Sequence, residues 1–96
     1  MTAYVIASVN VTDPEKYKNY MALSPAAIEA AGGKFIVRGG NPKVMEGDWP
    51  RPRVVIVEYP TREAAETFYN STLYVAARAE REGAADFSMI VVDGVS

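Results

Sequence analysis

What limits this chain most is the order in which its side-chain periodicities change. From Ala3 to Val11 the residues alternate, with Val5, Ala7, Val9 and Val11 on one face and Tyr4, Ile6, Ser8 and Asn10 on the other, the two-residue repeat of a β-strand. Asp13-Pro14-Glu15 then starts a helix: Asp13 suits the N-cap, Pro14 the first helical position, and Glu15 the positive end of the dipole. Tyr17, Tyr20, Met21, Ser24, Ile28 and Ala31 recur every three or four residues, drawing one apolar stripe that Pro25 should kink. Gly32-Gly33 closes the helix through a left-handed cap. Lys34 to Gly39 reads as a second strand, with Phe35 and Val37 facing one way and Ile36 and Arg38 the other.

Gly39-Gly40-Asn41-Pro42 breaks that strand, and Lys43 to Arg53, rich in proline and glycine, reads as a short extension and a protruding loop. Arg53 to Tyr59 is the strongest strand signal in the chain, and Thr61 is placed to cap the next helix. A helix over Arg62 to Asn70, an interruption at Asn70-Ser71-Thr72, a second helical stretch over Leu73 to Glu82 closed by Gly83, and a last strand around Phe87, Met89 and Val91 complete the order. The pattern is βαββαβ in a single domain over residues 1–96. Right-handed crossovers turn it into an α+β, ferredoxin-like fold, a four-stranded antiparallel sheet with the helices on one face. The first and third strands are apolar on both sides, more than a sheet wetted on one face needs. A second copy packed on the helix-free face would cover it, predicting a homodimer in the form of a dimeric α/β barrel.

Composition narrows the chemistry. The 96 residues hold neither cysteine nor histidine, which removes thiol nucleophiles, disulfides, histidine acid-base catalysis and His/Cys metal sites. Ten Lys and Arg against 12 Asp and Glu give a net charge of −2, without the basic stripe that nucleic-acid binding needs. No run of about 18 apolar residues exists to span a membrane, and no basic residue precedes the apolar N-terminal run, so a cytoplasmic location is expected. No phosphate loop, dinucleotide fingerprint or paired acidic metal motif is present, and no cofactor or metal is expected, although the scattered Asp13, Asp48, Asp86 and Asp93 do not exclude every oxygen-ligated ion.

Several stretches together carry a resemblance: Asp13-Pro14-Glu15, Gly32 through Gly40, Glu46-Gly47-Asp48-Trp49, Arg53 through Tyr59, and Phe68-Tyr69-Asn70-Ser71 with Tyr74 and Arg81. Over nearly its whole length the chain resembles the domain of unknown function numbered thirteen-thirty, small bacterial proteins of the dimeric α/β-barrel superfamily. Ser71-Thr72 stands where that family usually has Ser-Pro. The resemblance implies the dimeric barrel but no reaction. Superfamily relatives include cofactor-independent quinone monooxygenases, muconolactone isomerases and haem-degrading enzymes, the last generally with a histidine ligand that this chain lacks.

Among individual residues Arg38 stands out. Strand parity sets it on the face away from Phe35, and Gly39-Gly40 would let a ligand approach the backbone. Its guanidinium could hold a carboxylate, enolate or phenolate oxygen, or could form an ion pair with Glu58 or Glu46. Glu46 and Glu58 could act as bases if desolvated; otherwise Glu46 is a solvated loop carboxylate and Glu58 the partner of an arginine or of Lys34. Trp49, the one tryptophan, could lie over a pocket mouth or anchor the loop on a partner subunit. Tyr74 and Arg81 are two helical turns apart and can share one side of a helix, as site residues or as a buried tyrosine and an exposed arginine. The candidate ligand residues are therefore Arg38, Gly39, Trp49, Tyr74 and Arg81, with Arg38, Glu46 and Tyr74 as candidates for chemistry. Three functions stay open: binding of a small aromatic or carboxylated metabolite, cofactor-independent oxygenation or isomerisation, and an interaction module without a pocket.

Overall fold

The computed structural model describes residues 1–95. Its elements are β1 (Ala3–Val11), α1 (Pro14–Ala30), β2 (Lys34–Arg38), β3 (Arg53–Tyr59), α2 (Arg62–Tyr69), α3 (Thr72–Glu80) and β4 (Ala85–Asp93). The strands form one antiparallel sheet in the order β2-β3-β1-β4, the ferredoxin-like order, because each βαβ crossover must skip a neighbouring strand. The Cα atoms span 35 × 34 × 16 Å, a slab two layers thick.

Helix ends are set by side chains that satisfy orphan amides. Asp13 Oδ1 accepts from the Lys16 N–H at 3.2 Å and Thr61 Oγ1 from the Ala64 N–H at 3.0 Å. Ser71 caps α3: its Oγ accepts from the Tyr74 N–H at 3.2 Å and donates to the Phe68 carbonyl at 2.8 Å. Thr72 thus occupies the first helical position. α1 runs through Pro25 as one helix and ends in a Schellman motif: Gly33 N–H reaches the Ile28 carbonyl at 2.9 Å, Gly32 N–H reaches Glu29 at 3.0 Å, and Gly32 has φ +84°.

The core lies between sheet and helices. Val5, Ala7, Val9, Val57 and Tyr59 from the sheet meet Tyr17, Tyr20, Ala27, Ile28, Ala65, Phe68, Tyr74 and Ala77. Gly33 belongs to this packing, because a Cβ on it would sit 2.7 Å from the Tyr59 ring and 2.8 Å from Ile28. Gly33→Ala is therefore expected to lower stability by about 1–3 kcal/mol, the usual cost of overpacking, measurable as a reduced midpoint in urea. An unchanged midpoint would show that the Tyr59 ring yields freely.

The opposite face carries Tyr4, Ile6, Val54, Ile56 and Val92, all half-buried, with Ile90 exposed. No helix covers these residues.

One expectation is overturned in β2. Phe35 pairs with Val57, but Val37 pairs with Ile56 and Arg38 with Val55. Ile36 is an extra residue, a β-bulge, and it reverses side-chain parity beyond it. Arg38 consequently shares the helix-side face with Phe35 instead of lying opposite it, and its guanidinium carbon is 4.7 Å from the centroid of the Phe35 ring.

Candidate functional site

Because of the bulge, Arg38 reaches a small cavity between the sheet and α1. Phe35, Val55 and Val57 form its floor, Tyr17, Tyr20, Met21 and Ser24 of α1 its roof, and Tyr74 of α3 its inner end, with Arg53 beside Arg38. The cavity volume is about 30 Å³, room for one or two water-sized atoms. Arg38 is the exposed member of the lining and Tyr74 is fully buried.

Aromatic rings carry most of the inner wall. Tyr20 and Tyr74 share a hydrogen bond of 2.6 Å between their hydroxyls, and their rings meet edge to face at 6.1 Å. Tyr74 also stacks on Phe68 at 4.2 Å, and Phe68 on Tyr59 at 5.4 Å. Burial raises the pKa of Tyr17, Tyr20 and Tyr59 above the ordinary phenol value. For Tyr20 and Tyr59 nearby Tyr74 adds to the rise, whereas for Tyr17 the guanidiniums of Arg53 and Arg81 oppose it. These phenols are kept protonated, able to donate hydrogen bonds.

The cationic groups are short of partners. Among the described residues the ion pairs are Lys18–Glu15, Arg62–Glu66 and Arg62–Asp93, all at the surface. The expected pairing of Arg38 with Glu58 or Glu46 does not form: Glu58 stands opposite Lys34 and Tyr4 on the helix-free face, and Glu46 lies in the loop. Arg53 has a buried Nε without an acceptor, and its Nη2 faces the Met21 sulfur at 3.9 Å.

Gly39 lies against Arg53. It has φ +78°, and the space a side chain would take is filled by Arg53, whose Nη1 lies 2.5 Å from the position of a Cβ. The side of the glycine that a Cβ would occupy is thus taken by a guanidinium.

Arg81 caps the end of α3 and lies on the other side of the aromatic wall. Its guanidinium carbon sits 3.9 Å from the Phe87 centroid and 5.3 Å from that of Tyr20. It lines an open groove of about 480 Å³ between α2 and β4, with Phe68, Tyr69, Phe87 and Met89. Trp49 and Glu46 are brought to neither place; they line shallow concavities of the β2–β3 loop, where Trp49 is about half exposed. Within one chain the structure thus joins Arg38 to Tyr74, sets Arg81 next door, and leaves the loop pair apart.

Sequence reasoning misses Arg53, which reads as no more than the first residue of a strand. A signal exists: Arg53, Val55, Val57 and Tyr59 share one parity, so a charged side chain begins the core-facing series. Tyr17 and Tyr20, whose spacing marks them as core, are core residues that also line the cavity.

The sequence profile described as "Domain of unknown function (DUF1330)" matches residues 2–95. The chain belongs to this family. For this DUF1330 protein, comparison with curated proteins finds no match. Among solved structures it is similar to the RPA0582 protein of unknown function from Rhodopseudomonas palustris, with 23% identity, TM-score 0.78, and 99% of this chain and 83% of that one covered. It is similar to SnoaB, a cofactor-independent oxygenase from Streptomyces nogalater, with 11% identity, TM-score 0.69 and coverage of 99% and 94%. It is also similar to a dimeric ferredoxin-like protein of unknown function from Jannaschia sp. CCS1, with 10% identity, TM-score 0.73 and coverage of 98% and 100%. At these identities the likeness is one of fold. No helix of this DUF1330 chain is long and apolar enough to cross a membrane. No cluster of three or more acidic side chains that could hold a metal ion occurs among the described residues.

Proposed function

We propose that this protein is a homodimer that binds a small aromatic or carboxylated metabolite at the cavity beside Arg38. The observation that carries the reading is the placement of Arg38: the bulge turns it to the helix side, at the mouth of an aromatic-walled cavity, with no carboxylate in ion-pair contact among the described residues. A cation so placed favours an anionic or π-rich ligand. The dimer reading rests on the uncovered apolar face of a two-layer slab, and the description of the Jannaschia neighbour as dimeric supports it.

The test uses benzoate and 4-hydroxybenzoate as probes in calorimetric titrations. Arg38→Ala is expected to weaken binding by about 1.5–3 kcal/mol, the range for hydrogen bonds to charged groups. Arg38→Lys should recover only part, because lysine lacks the planar fork. Equal binding by all three proteins would sink the role of Arg38.

A second reading, cofactor-independent oxygenation or isomerisation, draws on the fold shared with SnoaB. Arg38 would stabilise an oxyanion and Tyr74, hydrogen-bonded to Tyr20, would move a proton; Glu46, the other candidate, is not among the residues lining the cavity. Oxygen uptake with quinols and turnover of lactones discriminate this reading from simple binding. An interaction module without a pocket accords poorly with arginines left unpaired around an internal space.

A further inference from the structure

We infer that Arg53, seated on Gly39, is the inner half of a two-guanidinium clamp that takes the carboxylate of the ligand, while Arg38 closes over it from the mouth. This rests on the cavity reading above and adds to it the recognised group and a second residue.

Three observations lead there. Arg53 opens β3 with the parity of Val55 and Val57, so its guanidinium turns to the helix side, and the bulge brings Arg38 to the same side across from Val55. The Arg53 guanidinium lies against the backbone at Gly39, whose N–H donates to the Val54 carbonyl at 2.8 Å, and a Cβ at position 39 would meet Nη1 at 2.5 Å and push it aside. Its Nε is buried and unpaired, and Nη2 faces a thioether sulfur at 3.9 Å, a weak acceptor; the neutral Tyr17 hydroxyl is its one good hydrogen-bond neighbour among the described residues, and no carboxylate is. Two cations set side by side without a neutralising anion repel each other, and an unpaired buried donor carries a desolvation cost. An anion bound between them relieves both.

Size selects the anion. The space of about 30 Å³ has room for one or two water-sized atoms, which suits the oxygens of a carboxylate better than the bulk of an aromatic ring. A planar carboxylate also matches the fork of a guanidinium in a bidentate pair. The body of the ligand then stays outside the cavity, against the stacked Arg38 and Phe35 side chains. Tyr17, which lies beside Arg53 and is held as a neutral phenol chiefly by burial, is available to donate a further hydrogen bond.

Benzoate titrated into ¹⁵N-labelled protein tests the clamp through the Arg53 Nε–H and Gly39 amide resonances. A saturable shift of the Arg53 Nε–H is expected, with Kd raised tenfold or more in Arg53→Ala and by less in Arg53→Lys. Benzamide, of the same shape without the charge, should bind at least tenfold more weakly than benzoate. Gly39→Ala should weaken benzoate comparably by displacing Arg53, whereas Gly40→Ala should not. Melting curves identify any variant that fails to fold, and the wild-type Nε–H shift and the benzamide comparison decide the matter without them. Benzoate binding that needs Arg38 but is unchanged in Arg53→Ala overturns the clamp and leaves the cavity reading standing. Benzamide binding as tightly as benzoate overturns the carboxylate assignment. Binding indifferent to both arginines, or no saturable shift, overturns the clamp and the cavity reading together.

Discussion

Val57→Glu is expected to abolish folding, and Ile56→Glu to leave a folded monomer, although the two positions are adjacent in one strand. Val57 is 3% exposed and faces the helices, in register with Val5 and Phe35. A glutamate there forfeits about 1.5–3 kcal/mol of apolar burial. It must in addition desolvate a carboxylate or hold it protonated, at a further cost of several kcal/mol. The sum approaches the roughly 5–15 kcal/mol that stabilises an ordinary domain. Ile56 points the other way, between Ile6 and Val37 on the uncovered face. In a lone subunit a carboxylate there remains hydrated, whereas in a face-to-face dimer burying more than about 1,500 Å² it would be trapped against its symmetry mate. Circular dichroism and light scattering separate the outcomes. A native far-UV spectrum at monomer mass is expected for Ile56→Glu, and loss of the cooperative transition for Val57→Glu. An Ile56→Glu protein that keeps the wild-type dimer mass would place the interface elsewhere, as would a wild-type protein that is monomeric at micromolar concentration.

Stability should fall steeply in alkali. Tyr17, Tyr20 and Tyr59 have pKa values raised in the folded protein, by burial above all. Below about pH 10, the ordinary phenol value, folded and unfolded chains bind the same protons at these groups and the stabilisation is fully present. Above it the unfolded phenols ionise while the folded ones stay neutral, so the native state binds more protons and stability declines as pH rises towards the folded values. Each group held in this way contributes a slope of about 1.4 kcal/mol per pH unit, so Tyr20 and Tyr59 alone give about 3 kcal/mol per unit. Urea midpoints measured between pH 9 and about 11.5 should show the decline. The tyrosinate absorbance of the buried group should appear together with unfolding. Midpoints flat across this interval would contradict the raised values.

The architecture is legible in the chain because each of its determinants is local. Asp13, Thr61 and Ser71 announce helix starts by chemistry that acts over three residues, and Gly32-Gly33 announces an end in the same way. Alternation over β1 and β3 is long enough to fix which residues share a face. The site is less legible because it depends on register. Nothing in Lys34 to Arg38 marks Ile36 as the extra residue; the bulge becomes defined only when β2 is laid against β3, and parity counted from Phe35 accordingly puts Arg38 on the wrong face. Gly39 attracts notice for the right conformational reason, but the group that fills the space beside it comes from Arg53, fourteen positions along the chain. Trp49 and Glu46 draw attention by rarity and by motif, neither of which carries information about where a long loop points.

The single extra residue in β2 makes reach a matter of counting. Between Gly33 and Arg38 the chain has one residue that pairs with nothing, and that parity step alone decides whether the guanidinium is offered to the interior space or to the helix-free face of the sheet. Residue identity at position 38 is therefore half of an address. A relative that keeps the Arg-Gly-Gly triplet but has one residue fewer before it would direct the same arginine across the sheet, among the apolar side chains of the helix-free face. In this fold a length difference in an edge strand can move a side chain from the helix-covered face of the sheet to the bare one, with every chemically distinctive side chain retained.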